Sequence, residues 1–178
     1  LQFNPLPENI IVEALVNREQ IDRVVAQKIA RQSQGNYNKA LQIVKENNDE
    51  LPFEEWFVFW VRSAFKAKGN ASAIHDLIIW SEQIAALGRE TQKKFLSFCT
   101  EMFRQALLLN YNAPSLVYIE PKVEKFTLEN FAPFVHGNNI LEIFKEISDA
   151  SYHIERNGNA KIILTDLSIK LTRLIHKK

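Results

Sequence analysis

The sequence is short of glycine and proline, and few stretches alternate apolar with polar residues. Its 178 residues include 5 Gly and 6 Pro. Half-buried strands need that alternation and sheets need frequent turns, so both shortages argue against a sheet protein. Hydrophobic residues make up 46% and charged residues 24%, which is typical of a globular chain and not of a disordered one. The composition therefore predicts an all-α protein.

The sequence also has only one cysteine, no excess of one charge and no long apolar run. The single cysteine, Cys99, cannot form an internal disulfide, which favours a reducing compartment. Lys and Arg total 22 against 21 Asp and Glu, whereas autonomous nucleic-acid binders usually carry a basic excess. No stretch reaches the roughly 18 apolar residues of a membrane span. We expect a cytoplasmic protein with no membrane partner, in which nothing demands a polyanionic ligand.

Three short helices are predicted in the first part of the chain, residues 1–48. An extended entry at Pro5 leads into the first helix. A second is expected over about Arg18–Gln34 and ends at Gly35, because glycine takes the left-handed conformation at low cost. Asn36 can then cap the third helix. The predicted inward residues are Ile10, Ile11, Ala14 and Leu15, then Ile21, Val24, Val25 and Ile29, and then Ala40, Leu41 and Val44.

The remaining residues, 49–178, are predicted to form a helical bundle. The polar run Asn47–Asp49 marks the boundary between the two parts. The clearest amphipathic signal is the helical spacing of Phe53, Trp56, Phe57, Trp60, Val61, Ala64 and Phe65. Asn159 is expected to cap the last helix, and the segment 117–119 has a strand-like pattern without an obvious partner. Further helices are expected at about 74–87, 90–110, 127–131, 139–156 and 159–176.

No motif for nucleotide, metal or covalent chemistry is present in the sequence. A phosphate-binding loop needs a glycine followed by lysine, and no glycine here precedes a lysine. The glycines are also too scattered for a dinucleotide fingerprint. We therefore predict no catalytic, cofactor-binding or metal-binding residue and no enzymatic activity of this chain. The histidines, none of which has the i, i+4 spacing of a helical metal site, are His75, His136, His153 and His176.

Several residues have both a chemical and a structural interpretation, and the structural one is favoured. Cys99 lies on the stripe from Phe95 to Phe103, which predicts a buried small residue and not a nucleophile. Glu54 and Glu55 are adjacent, so their carboxylates point in different directions on a helix. The helix dipole explains acidic residues in a first turn, and paired acid–base chemistry is therefore the weaker interpretation.

Asp166 and the tryptophans are the other candidates. Asp166 interrupts the apolar run 162–167, where it could pair with a cation of a partner chain, although a position on the solvated face is favoured. Tryptophans can stack on nucleic-acid bases. At helical spacing beside Phe and Val they are instead expected in the core. They are Trp56, Trp60 and Trp80.

Residues 29–41, IARQSQGNYNKAL, resemble the lid domain of clamp-loader ATPases of the AAA+ family. The family pattern is roughly I-A-x-x-[SA]-x-G-[SN]-x-R-x-A-L. Residues 1–6 are similar to the segment after the family's Ser-Arg-Cys motif, where the chain leaves the ATPase domain as the end of a strand. Residues 158–167 are similar to the closing helix of delta-prime collar domains. The resemblance therefore touches both ends of the chain, which we expect to be a piece of a longer protein.

One position departs from the family pattern. The family's lid arginine, sensor 2, reaches toward the γ-phosphate of bound ATP. Asn38 occupies that position here, and asparagine cannot supply a fixed positive fork. Lys39 points about 100° away round the helix, so it is no substitute. This departure favours the non-hydrolysing delta-prime class of DNA polymerase III clamp-loader chains over the ATPase chains.

The resemblance implies an AAA+ lid domain at 1–48 and a collar, or oligomerisation, domain at 49–178. In the family, collar domains form a ring that holds the subunits together while the ATPase domains load a sliding clamp during DNA replication. The expected partners are the ATPase chains and the delta chain, through an interface within 49–178. The clamp and primed DNA would be reached only through the whole complex.

A helical ligand-binding or dimerisation domain of a regulatory protein is the alternative. Aromatic-rich bundles can hold apolar ligands, and such a domain predicts a sizeable apolar pocket inside the bundle. A collar domain predicts a filled core and an apolar outer face. The two hypotheses therefore differ in where the apolar surface lies.

Overall fold

The computed structural model describes residues 5–46 and 51–177. Every regular element within these ranges is helical, so the all-α prediction is confirmed. The chain forms two compact units, residues 1–51 (unit 1) and 52–178 (unit 2). The boundary predicted at Asn47–Asp49 and the strand end predicted at the start of the chain fall on 47–50 and 1–4, which lie outside the described residues.

The described residues of unit 1 form three helices, α1 (Glu8–Glu19), α2 (Arg23–Ser33) and α3 (Tyr37–Glu46). α2 packs against both of the others. Three alanines lie among the buried residues, and small side chains let helix backbones approach closely. The buried apolar residues of this unit are Ile11, Val12, Leu15, Ala26, Ile29, Ala30 and Ala40.

The predicted start of the second helix was wrong. Residue 18 belongs to α1, which ends where Gln20 takes a left-handed conformation with φ 54°. α2 begins only after Asp22, whose carboxylate accepts hydrogen bonds from the backbone N–H groups of Val24 and Val25. Of the predicted stripe, Ile29 is buried as expected, but Val24 and Val25 are 61% and 43% exposed.

Gly35 has the role predicted from the sequence. Its φ is +84°, and a Cβ there would lie 2.4 Å from the Pro5 Cβ. The Leu6 N–H donates to the Gly35 carbonyl at 2.9 Å. Asn36 then accepts a hydrogen bond from the Lys39 N–H at 3.1 Å, which confirms the predicted cap. The turn between α2 and α3 therefore also holds the entering segment.

Unit 2 contains six helices and two short 3-10 turns, at Pro114–Leu116 and Ala132–Phe134. α9 packs against α5, α8 and α4, and α6 packs against α8 and α7. The helices are α4 (Phe53–Lys66), α5 (Ala71–Ala85), α6 (Arg89–Asn110), α7 (Leu128–Phe131), α8 (Ile140–Glu155) and α9 (Ala160–Leu174).

Aromatic rings fill the centre of unit 2. The Trp60 and Trp80 rings are stacked with centroids 5.2 Å apart, and both side chains are almost completely buried. The Trp60 indole N–H donates to the Ser168 hydroxyl at 2.9 Å, and that of Trp80 donates to the Trp56 carbonyl at 3.1 Å. The core placement of these two rings is confirmed, while Trp56 is half-buried at the edge of the same cluster.

The long connector after α6 contains no strand, since its described residues are a 3-10 turn and irregular backbone. The apolar residues of the strand-like pattern, Val117 and Ile119, pack instead against the core of unit 2. The Tyr118 N–H donates to the buried Gln105 side chain at 3.0 Å, and the Tyr118 hydroxyl donates to Glu101 at 2.5 Å. Burial and the adjacent carboxylate raise the pKa of Tyr118. The connector is therefore fastened to α6 by side chains.

Candidate interaction surfaces

The residues with chemical potential are dispersed. Within 5–46 and 51–177, no three or more His, Cys, Asp or Glu side chains are grouped so that they could hold a metal ion. Cys99 is completely buried, which confirms the predicted burial, and burial raises the pKa of its thiol well above the ordinary value. Every buried side-chain nitrogen or oxygen of the described residues has a hydrogen-bond partner. No polar group there is aimed at an empty space.

Glu54 and Glu55 occupy the first turn of α4. The Glu54 carboxylate accepts a hydrogen bond from the backbone N–H of Lys122 at 2.8 Å, so it fastens the connector to α4. This contact was not predicted, because the two residues are far apart in sequence. Glu54 therefore has a structural use, and both acidic residues are favoured by the helix dipole.

Asp166 lies on the solvated face of α9, as predicted. Its carboxylate is 2.8 Å from the Lys170 amine within the same helix, and Lys170 also lies 2.7 Å from Glu146 of α8. These carboxylates raise the pKa of Lys170. The three charges tie α9 to α8.

Asn38 lies exposed in the first turn of α3. The same turn contains the Asn36 cap. The ion pairs described within unit 1 join α1 to α2. Those pairs are Arg23 with Glu13 and Arg31 with Glu8.

Four isoleucines form an exposed apolar surface on unit 2, which we call the α5/α9 face: Ile74, Ile78, Ile162 and Ile169. Three of them are well exposed, at 46% for Ile74, 66% for Ile162 and 44% for Ile169, and Ile78 is half-buried. Each isoleucine left in water forgoes part of the roughly 1.5–3 kcal/mol that full burial supplies. The face is a candidate docking surface.

The two halves of the α5/α9 face are aligned by an ion pair. Glu82 of α5 and Lys161 of α9 are joined at 2.5 Å. Residues four apart lie on one side of a helix. On α5, Ile78 and Ile74 therefore lie on the same side as Glu82. On α9, Thr165 and Ile169 lie on the same side as Lys161. Because the helices run antiparallel, Ile74 comes level with Ile169.

A second candidate surface is a groove between α4 and α7, which we call the aromatic groove. It encloses about 180 Å³. The Phe65 ring lies against Phe134, with centroids 5.0 Å apart, and is stacked on His176 at 5.0 Å. Its apolar walls are Val61, Phe65, Phe126, Phe131, Phe134 and Ile175.

Three cations surround the aromatic groove: Arg62, Lys66 and Lys125. The Arg62 guanidinium donates to the carbonyls of Glu124 and Lys125, at 3.2 and 2.6 Å, and its carbon lies 5.9 Å from the Phe126 ring centre. Lys125 has a left-handed backbone with φ 59°, and it pairs with Glu124 at 3.6 Å in a fully solvated position.

A larger recess borders the connector, with a volume of about 380 Å³ between residues 109–121 and 126–129. Its walls mix carbonyls, carboxylates and apolar groups, among them Glu120 and Glu129. Its lining contains these two acidic side chains and no Lys or Arg. It is a less specific surface than the aromatic groove.

The chain matches no protein family, and no curated protein or solved structure is significantly similar to it. The resemblance to clamp-loader chains therefore depends on the motif residues alone. No described helix has the length and apolarity required to cross a bilayer.

The sequence contained a signal for one of these surfaces and not for the other. The helical period of α9 placed Leu167 and Leu171 inward, which leaves Ile162 and Ile169 on the opposite side. The aromatic groove joins α4 to residues far along the chain, and only tertiary packing brings them together. Its charged residues therefore had no distinguishing pattern.

Proposed function

We propose that this chain is the non-catalytic lid and collar part of a delta-prime-type clamp-loader subunit, which holds the loader together during sliding-clamp loading in DNA replication. Unit 1 would be the lid and unit 2 the collar. The motif at 29–41 supports the first assignment. The exposed α5/α9 face is the observation that best supports the second.

The core of unit 2 favours a scaffold over a ligand-binding bundle. The stacked rings of Trp60 and Trp80 occupy its centre, and Phe95 and Phe103 close on them from α6. Neither the aromatic groove, of about 180 Å³, nor the connector recess, of about 380 Å³, is lined by any of these four rings, so both lie outside the aromatic centre of the unit. A filled core with an apolar exterior is what a collar requires.

The α5/α9 face supplies part of an interface. A stable interface buries about 800 Å² on each partner, which is more than four isoleucines present. The charged residues around the face, Glu82, Lys161 and Arg173, can provide the polar rim. We expect the isoleucines to be the desolvated centre of a larger contact with a neighbouring collar.

The test is co-expression of the full-length protein with the ATPase chains of the loader, followed by gel filtration. The double substitution Ile162→Lys with Ile169→Lys places two ammonium groups in the centre of the face. Both residues are exposed, so the fold should be kept, as circular dichroism can check. We expect co-elution with the ATPase chains to fall at least tenfold.

The matched control is Leu141→Lys with Tyr152→Lys. These side chains are 75% and 52% exposed and lie on the outer side of α8, away from the α5/α9 face. The control should assemble like the unsubstituted protein. Assembly that survives the α9 substitutions would remove the interface from this face, and failure of the unsubstituted protein to join the ATPase chains would contradict the clamp-loader proposal itself.

The absence of an arginine at Asn38 gives a second test. Titration of ATP into the chain should release no heat of binding, because the sequence has no phosphate-binding loop and no sensor-2 charge at position 38. Micromolar ATP binding would contradict a non-catalytic subunit. The same result would favour an ATPase-type chain.

A dimerisation domain of a regulator is the second candidate, because the α5/α9 face could equally meet a second copy of itself. Sedimentation of the chain alone distinguishes the two. A stable dimer that Ile162→Lys with Ile169→Lys separates would favour the regulator. A monomer that joins the ATPase chains would favour the collar.

A further inference from the structure

We infer that the aromatic groove of unit 2 binds an acidic peptide segment of a partner protein, which inserts one aromatic or large aliphatic side chain between α4 and α7. This binding goes beyond the assembly function proposed for the α5/α9 face. The two surfaces involve different residues and can be tested separately.

The size of the groove selects the anchor. An apolar cavity of about 150 Å³ can take a benzene ring, and this groove encloses about 180 Å³. One phenylalanine or leucine side chain fits that space, whereas a longer lipid chain does not. The walls are rings and aliphatic side chains, so edge-to-face contacts with an inserted ring are available from Phe126 and Phe131.

The charges of the rim select the flanking residues. Arg62, Lys66 and Lys125 all line the opening. Arg62 uses one nitrogen for the two carbonyls of the connector, and a guanidinium has five N–H donors, so further donors are available. Lys66 has no ion pair with any residue that the structure describes. Carboxylates on either side of the anchor would be complementary to this rim.

Glu124, the acidic residue paired with Lys125, does not neutralise the charge of that lysine. Glu124 is paired with Lys125 at 3.6 Å, but both side chains are more than four-fifths exposed, at 87% and 85%. An exposed pair of this kind is worth little. A peptide carboxylate can therefore replace Glu124 as the partner of Lys125 at small cost.

The backbone of the rim is held in place before any peptide arrives. The Arg62 bonds fix residues 124 and 125, and the Thr127 hydroxyl caps α7 by accepting from the Asn130 N–H at 3.3 Å. The Phe65 ring is held between Phe134 and His176. A surface that is already ordered loses less conformational entropy on binding.

The experiment uses the whole chain and a short fluorescein-labelled peptide with one central phenylalanine flanked by Asp and Glu residues. Fluorescence anisotropy should show saturable binding that weakens as salt is added, because the rim charges are exposed. Replacing the central phenylalanine by alanine, or the acids by Asn and Gln, should each weaken binding about tenfold or more.

The protein variants test the location. Lys66→Glu with Lys125→Glu should weaken peptide binding about tenfold. Each exposed charge contributes modestly to binding, and reversing a charge has about twice the effect of removing it. The matched control reverses two exposed lysines elsewhere on unit 2, Lys94→Glu with Lys145→Glu, and should bind normally. Asn130→Trp places an indole at the mouth of the groove and should block the anchor without touching the core.

The outcomes are decisive in both directions. Equal weakening by the groove and control reversals would mean non-specific attraction and would overturn the inference. A second outcome would also overturn the inference: decanoate binds saturably, Asn130→Trp blocks that binding, and the peptide does not displace the decanoate. The groove would then be a site for a small amphiphile. Because Lys66→Glu with Lys125→Glu leaves the α5/α9 face intact, that variant should still assemble, so failure of this inference does not affect the proposed function.

Discussion

The two units of this chain are built from different side chains. In unit 1 the buried residues that the structure describes are aliphatic and small, and no aromatic ring is among them. In unit 2 the buried set includes two tryptophans and five phenylalanines, whose rings contact one another across α4, α5, α6 and α7. Small residues permit close backbones, and rings fill wider spaces.

This difference predicts which kind of substitution should destabilise each unit most. Unit 1 depends on backbone geometry: the left-handed Gln20 and Gly35, the Asp22 cap and the contact of Gly35 with Pro5. Unit 2 depends on the volume of its rings. Deleting a ring should therefore damage unit 2 most, and adding a methyl group at a tight turn should damage unit 1 most.

The largest effect is expected from Trp80→Ala. The ring is stacked on Trp60, and its removal leaves a cavity, so the free energy of unfolding of unit 2 should fall by about 3–5 kcal/mol. All three tryptophans lie in unit 2, so fluorescence during urea unfolding follows that unit. Ile79→Ala, on the exposed side of α5, is the control. Amide exchange in unit 1 should not change; equal loss in both units would show that they unfold together.

The next effect concerns Gly35→Ala, which tests backbone dependence. A left-handed alanine costs about 1–2 kcal/mol, and the collision with Pro5 adds to it, so we expect a loss of about 3 kcal/mol in unit 1. Gly69→Ala is the matched control in unit 2, since Gly69 has φ +81° with nothing within 4 Å of an added Cβ. That change should cost only about 1–2 kcal/mol. Similar losses at both sites, by amide exchange, would contradict the role of the Pro5 contact.

A smaller loss of stability is expected when a helix cap is removed, and each unit has a cap of the same kind. Asp22 accepts from two N–H groups at the start of α2, and Asn70 does the same at the start of α5. Asp22→Ala and Asn70→Ala should each cost about 1 kcal/mol, measured by amide exchange in the unit concerned. Asp22→Asn keeps the acceptor and should cost little. A loss much greater in one unit would show that its cap has a further tertiary role.

The sequence predicted the helical class and most helices of unit 2, because long amphipathic patterns dominate there. It also predicted the cap at Asn159, whose side chain accepts from the Ile162 N–H at 3.2 Å. It failed at the boundary between the first two helices, where Gln20 adopts a left-handed conformation that no residue type there signals. It also did not predict that α2 buries Ala26 and Ala30 and leaves Val24 and Val25 exposed, because that choice depends on tertiary packing.

The candidate surfaces were less predictable than the helices. The sequence indicated that the isoleucines of α9 lie outside the inward stripe of that helix. Their alignment with Ile74, however, depends on the pairing of Glu82 with Lys161. The aromatic groove and the contacts of Glu54 and Tyr118 with distant backbone depend on the path of the connector. Local pattern contains no information on such pairings. The lid and collar assignment remains a prediction.

The smallest expected effect comes from a surface ion pair of unit 2. Lys145 and Asp149, one turn apart on α8, are 2.8 Å apart, and the hydrogen bond from Lys145 lowers the pKa of Asp149 below its ordinary value of 3.8. A lowered pKa in the folded state means that the stabilisation is present above pH 3.8 and is lost as the pH falls through the folded value. Lys145→Ala should return the pKa of Asp149 toward the ordinary value, as an NMR titration of its carboxyl carbon can measure. Because both side chains are solvated, the urea midpoint of unit 2 at pH 7 should hardly move. A clear drop in the midpoint would mean that this ion pair contributes more to stability than exposed pairs normally do.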